Sequence, residues 1–299
     1  MRGRAAPPRR WRSLPGYLFL APWLIGFFGL TLGPALASLY FSFTDYSLLD
    51  APHWVGTANY VRLATADPKF GAALRVTFLY VALAVPLKLL FALAVALACN
   101  RGLRGLPIYR ALFYLPSLLG TSVAIAVLWR QIFAGDGLVN GLLAEAGIEG
   151  PSWISNPRTS LLTLVALAVW QFGSPMIIFL AGLRQVPATL YEAASIDGAG
   201  RLRQFFAITL PMLTPVIFFN AVVQTIEAFK AFTPAFIVSG GTGGPINSTL
   251  FYTLYLYQEA FGFFRMGYAS ALAWVLVLIV GAVTALSFLG SRYWVHYDG

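Results

Sequence analysis

Charged residues are scarce in this chain of 299 residues. Asp, Glu, Lys and Arg together make up 10% of the sequence, whereas hydrophobic residues make up 59%. A soluble domain usually has about 25% charged residues. The mean hydropathy is +0.74, and several apolar runs are long enough to cross a bilayer. The composition therefore predicts an integral membrane protein.

Cysteine, histidine and lysine are also rare, and this excludes several kinds of site. The single cysteine, Cys99, rules out an intrachain disulfide and a metal site built from several cysteines. The two histidines, His53 and His296, do not form a His-Glu-x-x-His motif, and no lysine follows a glycine as a P-loop requires. A Gly-x-Ser-x-Gly nucleophile elbow is absent as well. We therefore expect no catalytic residues, metal or cofactor in this chain, and an energy source in an ion gradient or a partner.

Six apolar segments are predicted to form transmembrane helices. Their predicted bounds are Gly16–Phe43, Leu74–Ala98, Tyr109–Phe133, Leu161–Leu183, Leu210–Val238 and Tyr268–Gly290. The first segment follows an arginine-rich stretch, but it is too long for the apolar part of a signal peptide and is interpreted as a retained span. The predicted fold class is an all-α integral membrane protein with about six transmembrane helices.

The distribution of basic residues predicts the orientation of these spans. Loops on the side of the N-terminus carry more Arg and Lys than loops on the other side, which predicts that both termini are cytoplasmic. The net charge of +9 is therefore assigned to membrane orientation, and no nucleic-acid partner is expected. The predicted organisation is a basic tail over residues 1–15, a membrane domain over residues 16–290 and a cytoplasmic tail over residues 291–299.

A short polar segment between the fourth and fifth spans differs from the other loops. Pro187 suits the start of a helix, Ala188–Ile196 is predicted to be helical, Asp197-Gly198 is a turn signal, and a second short helix is predicted over Ala199–Ile208. Its small residues would let the backbone of another protein approach closely. Local physics leaves two readings open, a docking surface for a soluble partner or an ordinary connecting loop.

The same segment carries a resemblance to a known family. Glu192-Ala193-Ala194, then Gly198, then Ile208-Thr209-Leu210-Pro211 resembles the EAA loop of ABC importer permeases. The stretches Gly182–Pro187, Tyr109–Pro116 and Gly243–Thr249 are similar to the carbohydrate-uptake branch, on the side of the MalF-like and glycerol-3-phosphate permeases. The resemblance implies the type I ABC importer permease fold, with residues 184–209 as a coupling loop that docks on an ATPase. The coupling residues that it implies are Glu192, Ala193, Ala194, Asp197, Gly198 and Ala199.

The resemblance also implies a set of partners. They are a second homologous permease subunit, two ATP-binding cassette subunits that hold ATP and Mg²⁺, an extracytoplasmic substrate-binding protein, membrane lipid and a small-molecule sugar. The implied location is the bacterial cytoplasmic membrane, which the chain would cross several times.

Polar residues inside the predicted spans are candidates for the translocation path. Gln224, Glu227 and Lys230 share a helix face and would suit sugar hydroxyls, although a structural ion pair is the alternative. Permeases of the resembling branch place sugar contacts on the third and fourth spans as well. The remaining candidates there are Ser117, Thr121, Gln171 and Phe172.

Several alternatives stay open at this stage. The predicted cargo is a disaccharide or oligosaccharide, and glycerol 3-phosphate or a sugar alcohol is the alternative within the class. A neutral sugar is favoured because the spans contain no central arginine, and Lys88 is interpreted as structural. An ion-driven secondary transporter using Glu227, Lys230 and Lys88 is the rival of another class, but such transporters usually show internal repeats, which this sequence lacks. A membrane scaffold without transport is a third, weaker reading.

Overall fold

The computed structural model describes residues 14–100, 105–120 and 122–296, and within these ranges the chain is mostly helical. A lone antiparallel bridge joins Thr44 and Trp54. The helices, in chain order, are α1 Leu14–Gly26, α2 Gly33–Phe41, α3 Ala58–Thr65, α4 Pro68–Cys99, α5 Leu106–Leu119, α6 Val123–Ile132, α7 Leu138–Glu145, α8 Ser160–Trp170, α9 Gly173–Leu183, α10 Ala188–Ile196, α11 Arg201–Gln204, α12 Leu210–Met212, α13 Thr214–Phe229, α14 Thr233–Val238, α15 Tyr252–Tyr257 and α16 Met266–Ser291. Three π-helical stretches, Phe27–Leu32, Phe205–Thr209 and Gln258–Gly262, lie between them.

The chain divides into two compact units. The first unit contains residues up to Ala66 together with Glu259–Val275. Within it, the backbone N–H of Gly267 donates to the carbonyl of Tyr46 at 2.9 Å, and a Cβ on Gly267 would lie 3.0 Å from the Tyr46 nitrogen. The guanidinium of Arg62 lies 4.5 Å from the centroid of the Tyr268 ring, a cation–π contact. Glycine at position 267 is thus what allows the start of α16 to approach the segment after α2.

The second unit contains Asp67–Gln258 and the residues from Leu276 onward. In it, α4 is the central helix and packs against α8, α9, α13 and α15. Ala92 and Ala96 on α4 are fully buried beside Met176 and Phe179 on α9. Small side chains let helix backbones approach closely where lipid provides no hydrophobic drive for association. This alanine face therefore fixes the position of α9 against α4.

Up to six membrane spans can be drawn through the described residues. Three helices are individually long and apolar enough to cross a bilayer, over Phe19–Phe41, Pro68–Cys99 and Met266–Ser291. Three further candidates are pairs of helices with a bend between them, Pro107–Leu119 with Val123–Ile132, Ser160–Trp170 with Gly173–Leu183, and Arg201–Met212 with Thr214–Phe229. The bend is 44° in the second pair and 62° in the third. The predicted number of about six spans is confirmed if each bent pair of helices is counted as one span. Half of these spans are not single continuous helices.

The predicted fifth span, Leu210–Val238, is wrong in its C-terminal part. Helix α13 ends at Phe229, and α14 begins only at Thr233. Pro234 has no backbone N–H to donate to the carbonyl of Lys230, so the helical hydrogen bonding of α13 cannot continue through it, while the first turn of α14 tolerates a proline. The hydroxyl of Thr253 donates to the carbonyl of Ala231 at 2.5 Å. This bond gives a partner to a carbonyl that lies in the break between the helices.

Candidate functional site

The polar segment between the fourth and fifth spans forms two short helices joined by a glycine turn. We call residues 188–209 the coupling segment. Helix α10 ends where Gly198 adopts φ +75°. The N–H of Ala199 donates to the carbonyl of Ala194 at 2.8 Å, and that of Gly198 donates to Ser195 at 3.1 Å. This pair of bonds is a Schellman motif, which needs a left-handed residue at Gly198.

Side chains hold the two arms of the coupling segment together. The Gln204 side-chain amide donates to the Ser195 hydroxyl and to the Ala199 carbonyl, both at 3.0 Å. The hydroxyls of Tyr191 and Thr209 lie 2.9 Å apart and are hydrogen-bonded. Helix α10 is therefore tied both to α11 and to the π-helical stretch that leads into the fifth span. A push on α10 can be transmitted to that span through these bonds.

The coupling segment presents an exposed surface that carries the predicted coupling residues. Glu192, Ala193, Asp197 and Gly198 are exposed, and Ala194 and Ala199 are half-buried. Four large apolar side chains of the segment are exposed as well, and the two most exposed are Ile196 at 87% and Leu202 at 73%. The sequence reasoning did not single out these two residues. The sequence could have indicated them, because each is an aliphatic residue flanked by small or polar residues in a segment between two spans.

The second candidate site is a cavity of ≈ 520 Å³ inside the second unit. This volume lies within the range of pockets that hold small molecules. The cavity brings together residues from α4, α5, α8, α9, α13 and α14 with residues at the helix breaks. The predicted path residues that line it are Ser117, Gln171, Gln224, Glu227 and Lys230.

Two of these lining residues also have a structural task. The hydroxyl of Ser117 donates to the Gln171 carbonyl at 3.0 Å and accepts from the backbone N–H of Ser174 at 2.9 Å. The Gln171 side-chain amide donates to the carbonyl of Gly120 at 3.0 Å. These bonds satisfy backbone groups where α8 breaks before α9 and where α5 ends, which a membrane interior requires. Ser117 and Gln171 therefore hold the broken span in shape at the cavity wall.

Two charged residues that line the cavity, Glu227 in α13 and Lys230 directly after it, form an ion pair. Lys230 Nζ lies 2.8 Å from Glu227 Oε1, and both side chains are more than half exposed, at 57% and 60%. Gln224, one turn earlier, is buried. The predicted stripe on α13 thus runs from the closed part of the cavity to its open part.

Two other predicted path residues are placed differently. Phe172 is buried, packs edge-on against Phe91 with ring centroids 4.8 Å apart, and belongs to the apolar cluster between α4 and α9. It is not among the residues that line the cavity, so its contact with a substrate remains a prediction. Thr121 lies outside the described residues.

Lys88 is a cavity residue that the sequence analysis interpreted as structural. It lines the cavity together with Tyr80 and Ala84 of the same helix. These positions are spaced by four residues and therefore share one face of α4. The available signal was a lysine far from either end of a long apolar helix, which by itself indicates a functional position.

Comparison with known proteins places this chain in a family. Residues 63–294 match the family described as "Binding-protein-dependent transport system inner membrane component". This chain belongs to that family. The permease is accordingly a transport component rather than a catalytic subunit, and it is a multi-pass membrane protein. In the described parts of the permease no group of three or more His, Cys, Asp or Glu residues is arranged to hold a metal ion.

Individual relatives and solved structures agree with the family assignment. The permease is 54% identical over 287 residues to the probable ABC transporter permease protein YesP of Bacillus subtilis (strain 168), covering 96% of this chain and 93% of YesP. It is 34% identical over 290 residues to the lactose transport system permease protein LacF of Rhizobium radiobacter, covering 95% and 96% of the two chains. A chain of a bacterial ABC transporter involved in alginate import superposes with a TM-score of 0.82 at 21% identity, covering 94% and 96%. This last likeness establishes the ABC importer permease fold.

Proposed function

We propose that this permease is one half of the translocation path of an ATP-driven sugar importer in the bacterial inner membrane. It pairs with a second homologous permease, and two ATP-binding cassette subunits, which bind ATP and Mg²⁺, dock beneath the pair. An extracytoplasmic binding protein delivers the sugar. The family supports this assembly, because its members are components of binding-protein-dependent transport systems.

The observation that carries the proposal is the shape of the coupling segment. A rigid α10–α11 hairpin exposes Ile196 and Leu202 beside Glu192 and Asp197. An apolar pair rimmed by charge is typical of a protein–protein contact. The bonds from Tyr191 and Gln204 connect this surface to the fifth span. ATP-driven closure of the ATPase pair would then shift the two permeases between inward-open and outward-open states.

A sugar as the cargo is supported by relatives and by the cavity. A relative that covers 95% of this chain is named for lactose transport, and another, AraP of Bacillus subtilis (strain 168), is named for arabinooligosaccharides. The cavity wall offers hydroxyl, amide, carboxylate and ammonium groups, which suit sugar hydroxyls. Neither glycerol 3-phosphate nor an ion-driven mechanism is favoured by these observations.

The test is the ATPase activity of the co-expressed complex in lipid, with loaded binding protein. We expect Gly198→Asp and Glu192→Lys to lower stimulated activity by at least about tenfold, which is about 1.4 kcal/mol of docking free energy. Gly147→Asp and Glu145→Lys are matched controls. Gly147 has φ +72° and ends α7 with the same two hydrogen bonds, at 2.8 and 2.9 Å, and Glu145 is exposed. The controls should retain ATPase co-purification and basal activity.

The contrary result is equally clear. If no ATPase co-purifies with the wild type, and both coupling variants transport normally, the coupling segment is an ordinary loop. An ion gradient would then be the energy source.

A further inference from the structure

The charges that line the cavity are unbalanced. Three of its lining residues carry charge, namely Lys88, Glu227 and Lys230. Glu227 is paired with Lys230 at 2.8 Å, and it also attracts the ammonium group of Lys88 electrostatically, so one carboxylate serves two lysines. In the described parts of the chain, Lys88 makes no hydrogen bond or ion pair, and no second carboxylate lines the cavity. The wall therefore has one positive charge more than it has negative charges.

Lys88 has no way to bring its ammonium group to the membrane surface. It lies eleven residues before Cys99, the last residue of α4. At 1.5 Å per residue, this is about 16 Å along the helix, which is farther than a lysine side chain extends. A charge held at such a depth is costly unless it faces a water-filled cavity or a counter-ion. The cavity is thus the place where Lys88 meets its partner.

The rest of the wall is suited to a sugar ring. Ser174 on α9 and Gln224 on α13 supply uncharged polar groups to the wall. These groups donate and accept hydrogen bonds without adding charge. A ligand that satisfies the whole wall combines several hydroxyls with one anionic group.

We propose that the cavity carries acidic sugars, with Lys88 binding a sugar carboxylate as it passes. This inference rests on the proposed function and narrows the cargo to uronate-containing oligosaccharides, in place of the neutral sugar that the sequence favours. A carboxylate carries one negative charge and so matches the single excess positive charge. A phosphate monoester carries about −1.5 to −2 charges near pH 7, and it is matched less well by one lysine.

The test compares the oligosaccharides that wild-type and variant complexes transport into liposomes. The full complex is reconstituted into phosphatidylcholine liposomes with its binding protein and ATP. The liposomes receive an equimolar mixture of neutral and acidic oligosaccharides prepared from starch, galactan, pectin and alginate, and their contents are sorted by charge with mass spectrometry. Because the binding protein is the same in every arm, its own selectivity cancels when variants are compared with the wild type.

Three variants separate the role of Lys88 from a general loss of folding. Lys88→Gln should lower the ratio of acidic to neutral cargo by about tenfold to a hundredfold, as expected for loss of a charge-assisted hydrogen bond. Glu227→Gln, which frees Lys230, should raise the same ratio. Lys69→Gln is the matched control, because Lys69 is an exposed lysine on the same helix that does not line the cavity. It should leave the ratio unchanged.

The outcomes are distinguishable. If the wild type accumulates mainly acidic oligosaccharides and Lys88→Gln lowers their share, the inference is supported. Because the liposomes contain no anionic lipid, the anion that Lys88 binds cannot be the headgroup of such a lipid. Neutral cargo in the wild type, or a ratio that Lys88→Gln does not alter, overturns the acidic cargo while leaving the importer intact. If nothing accumulates and the binding protein does not stimulate ATP hydrolysis, the proposed function itself has failed.

Discussion

The hydroxyl of Ser117 has a structural role at a position that was predicted to be functional. Ser117 was predicted as a sugar contact, and it does line the cavity. Both of its hydrogen bonds nevertheless go to backbone groups at the break between α8 and α9. In a membrane, no water is present to replace such a bond. The residue therefore supports the wall of the cavity rather than offering a free hydroxyl to the cargo.

Ser117→Ala should therefore destabilise the permease without altering its selectivity. It leaves the Gln171 carbonyl and the Ser174 N–H without their partner, at a cost of about 1–3 kcal/mol. We expect a lower melting temperature of the complex in lipid nanodiscs and an unchanged ratio of acidic to neutral cargo. Ser287→Ala is the control, because the Ser287 hydroxyl only donates to Val283 in its own helix, at 2.8 Å. Equal melting temperatures for the two variants would contradict this role.

At the scale of helices, close packing depends on a few glycines. Gly173 begins α9 where this helix crosses α5. A Cβ there would lie 2.7 Å from the Tyr114 Cα and 3.0 Å from the Ser117 hydroxyl. Backbone atoms cannot move aside as a flexible side chain can. The contact between α5 and α9 thus requires a residue without a side chain at this position.

Gly173→Ala should force α5 and α9 apart. We expect a loss of about 1–3 kcal/mol of stability from overpacking, together with weaker transport, because both helices line the cavity. Gly281→Ala is the matched control, since no atom lies within 4 Å of its Cβ position in α16 and alanine favours a helix. Thermal unfolding in nanodiscs measures both variants. A Gly173→Ala permease as stable as Gly281→Ala would show that the crossing is looser than the structure indicates.

The helices show what the sequence could and could not predict. Hydropathy correctly predicted the number of spans, because a bilayer demands about 20 apolar residues whatever the details. It did not predict the break at Gln171, because the hydroxyl that satisfies this break comes from Ser117, 54 residues away. It likewise did not place Lys88 in a cavity wall, because this cavity exists only after α4, α8 and α13 have packed. The coupling segment was predicted more fully, since its turn depends on local residues, Asp197 and Gly198.

In the molecule as a whole, one continuous stretch of chain connects the coupling segment with the cavity. The coupling segment leads through Thr209 and α12 into α13, whose residues Gln224 and Glu227 line the cavity. The segment proposed to dock on the ATPase is thus continuous with a helix that lines the cavity. This continuity provides a physical route for coupling, provided that an ATPase docks on α10 and α11.

Site-directed cross-linking of the whole complex tests that docking most directly. Because Cys99 is the chain's single cysteine, Cys99→Ala gives a cysteine-free background. In it, Ile196→Cys places a thiol on the coupling segment, and Ile246→Cys places one in the loop between α14 and α15. Both isoleucines are 87% exposed, so the two thiols should react equally with a benzophenone maleimide. After illumination, we predict that the label at position 196 cross-links to the ATPase subunit and that the label at position 246 does not. Cross-links to the ATPase from position 246, or none from position 196 in an assembled complex, would contradict the proposed coupling surface.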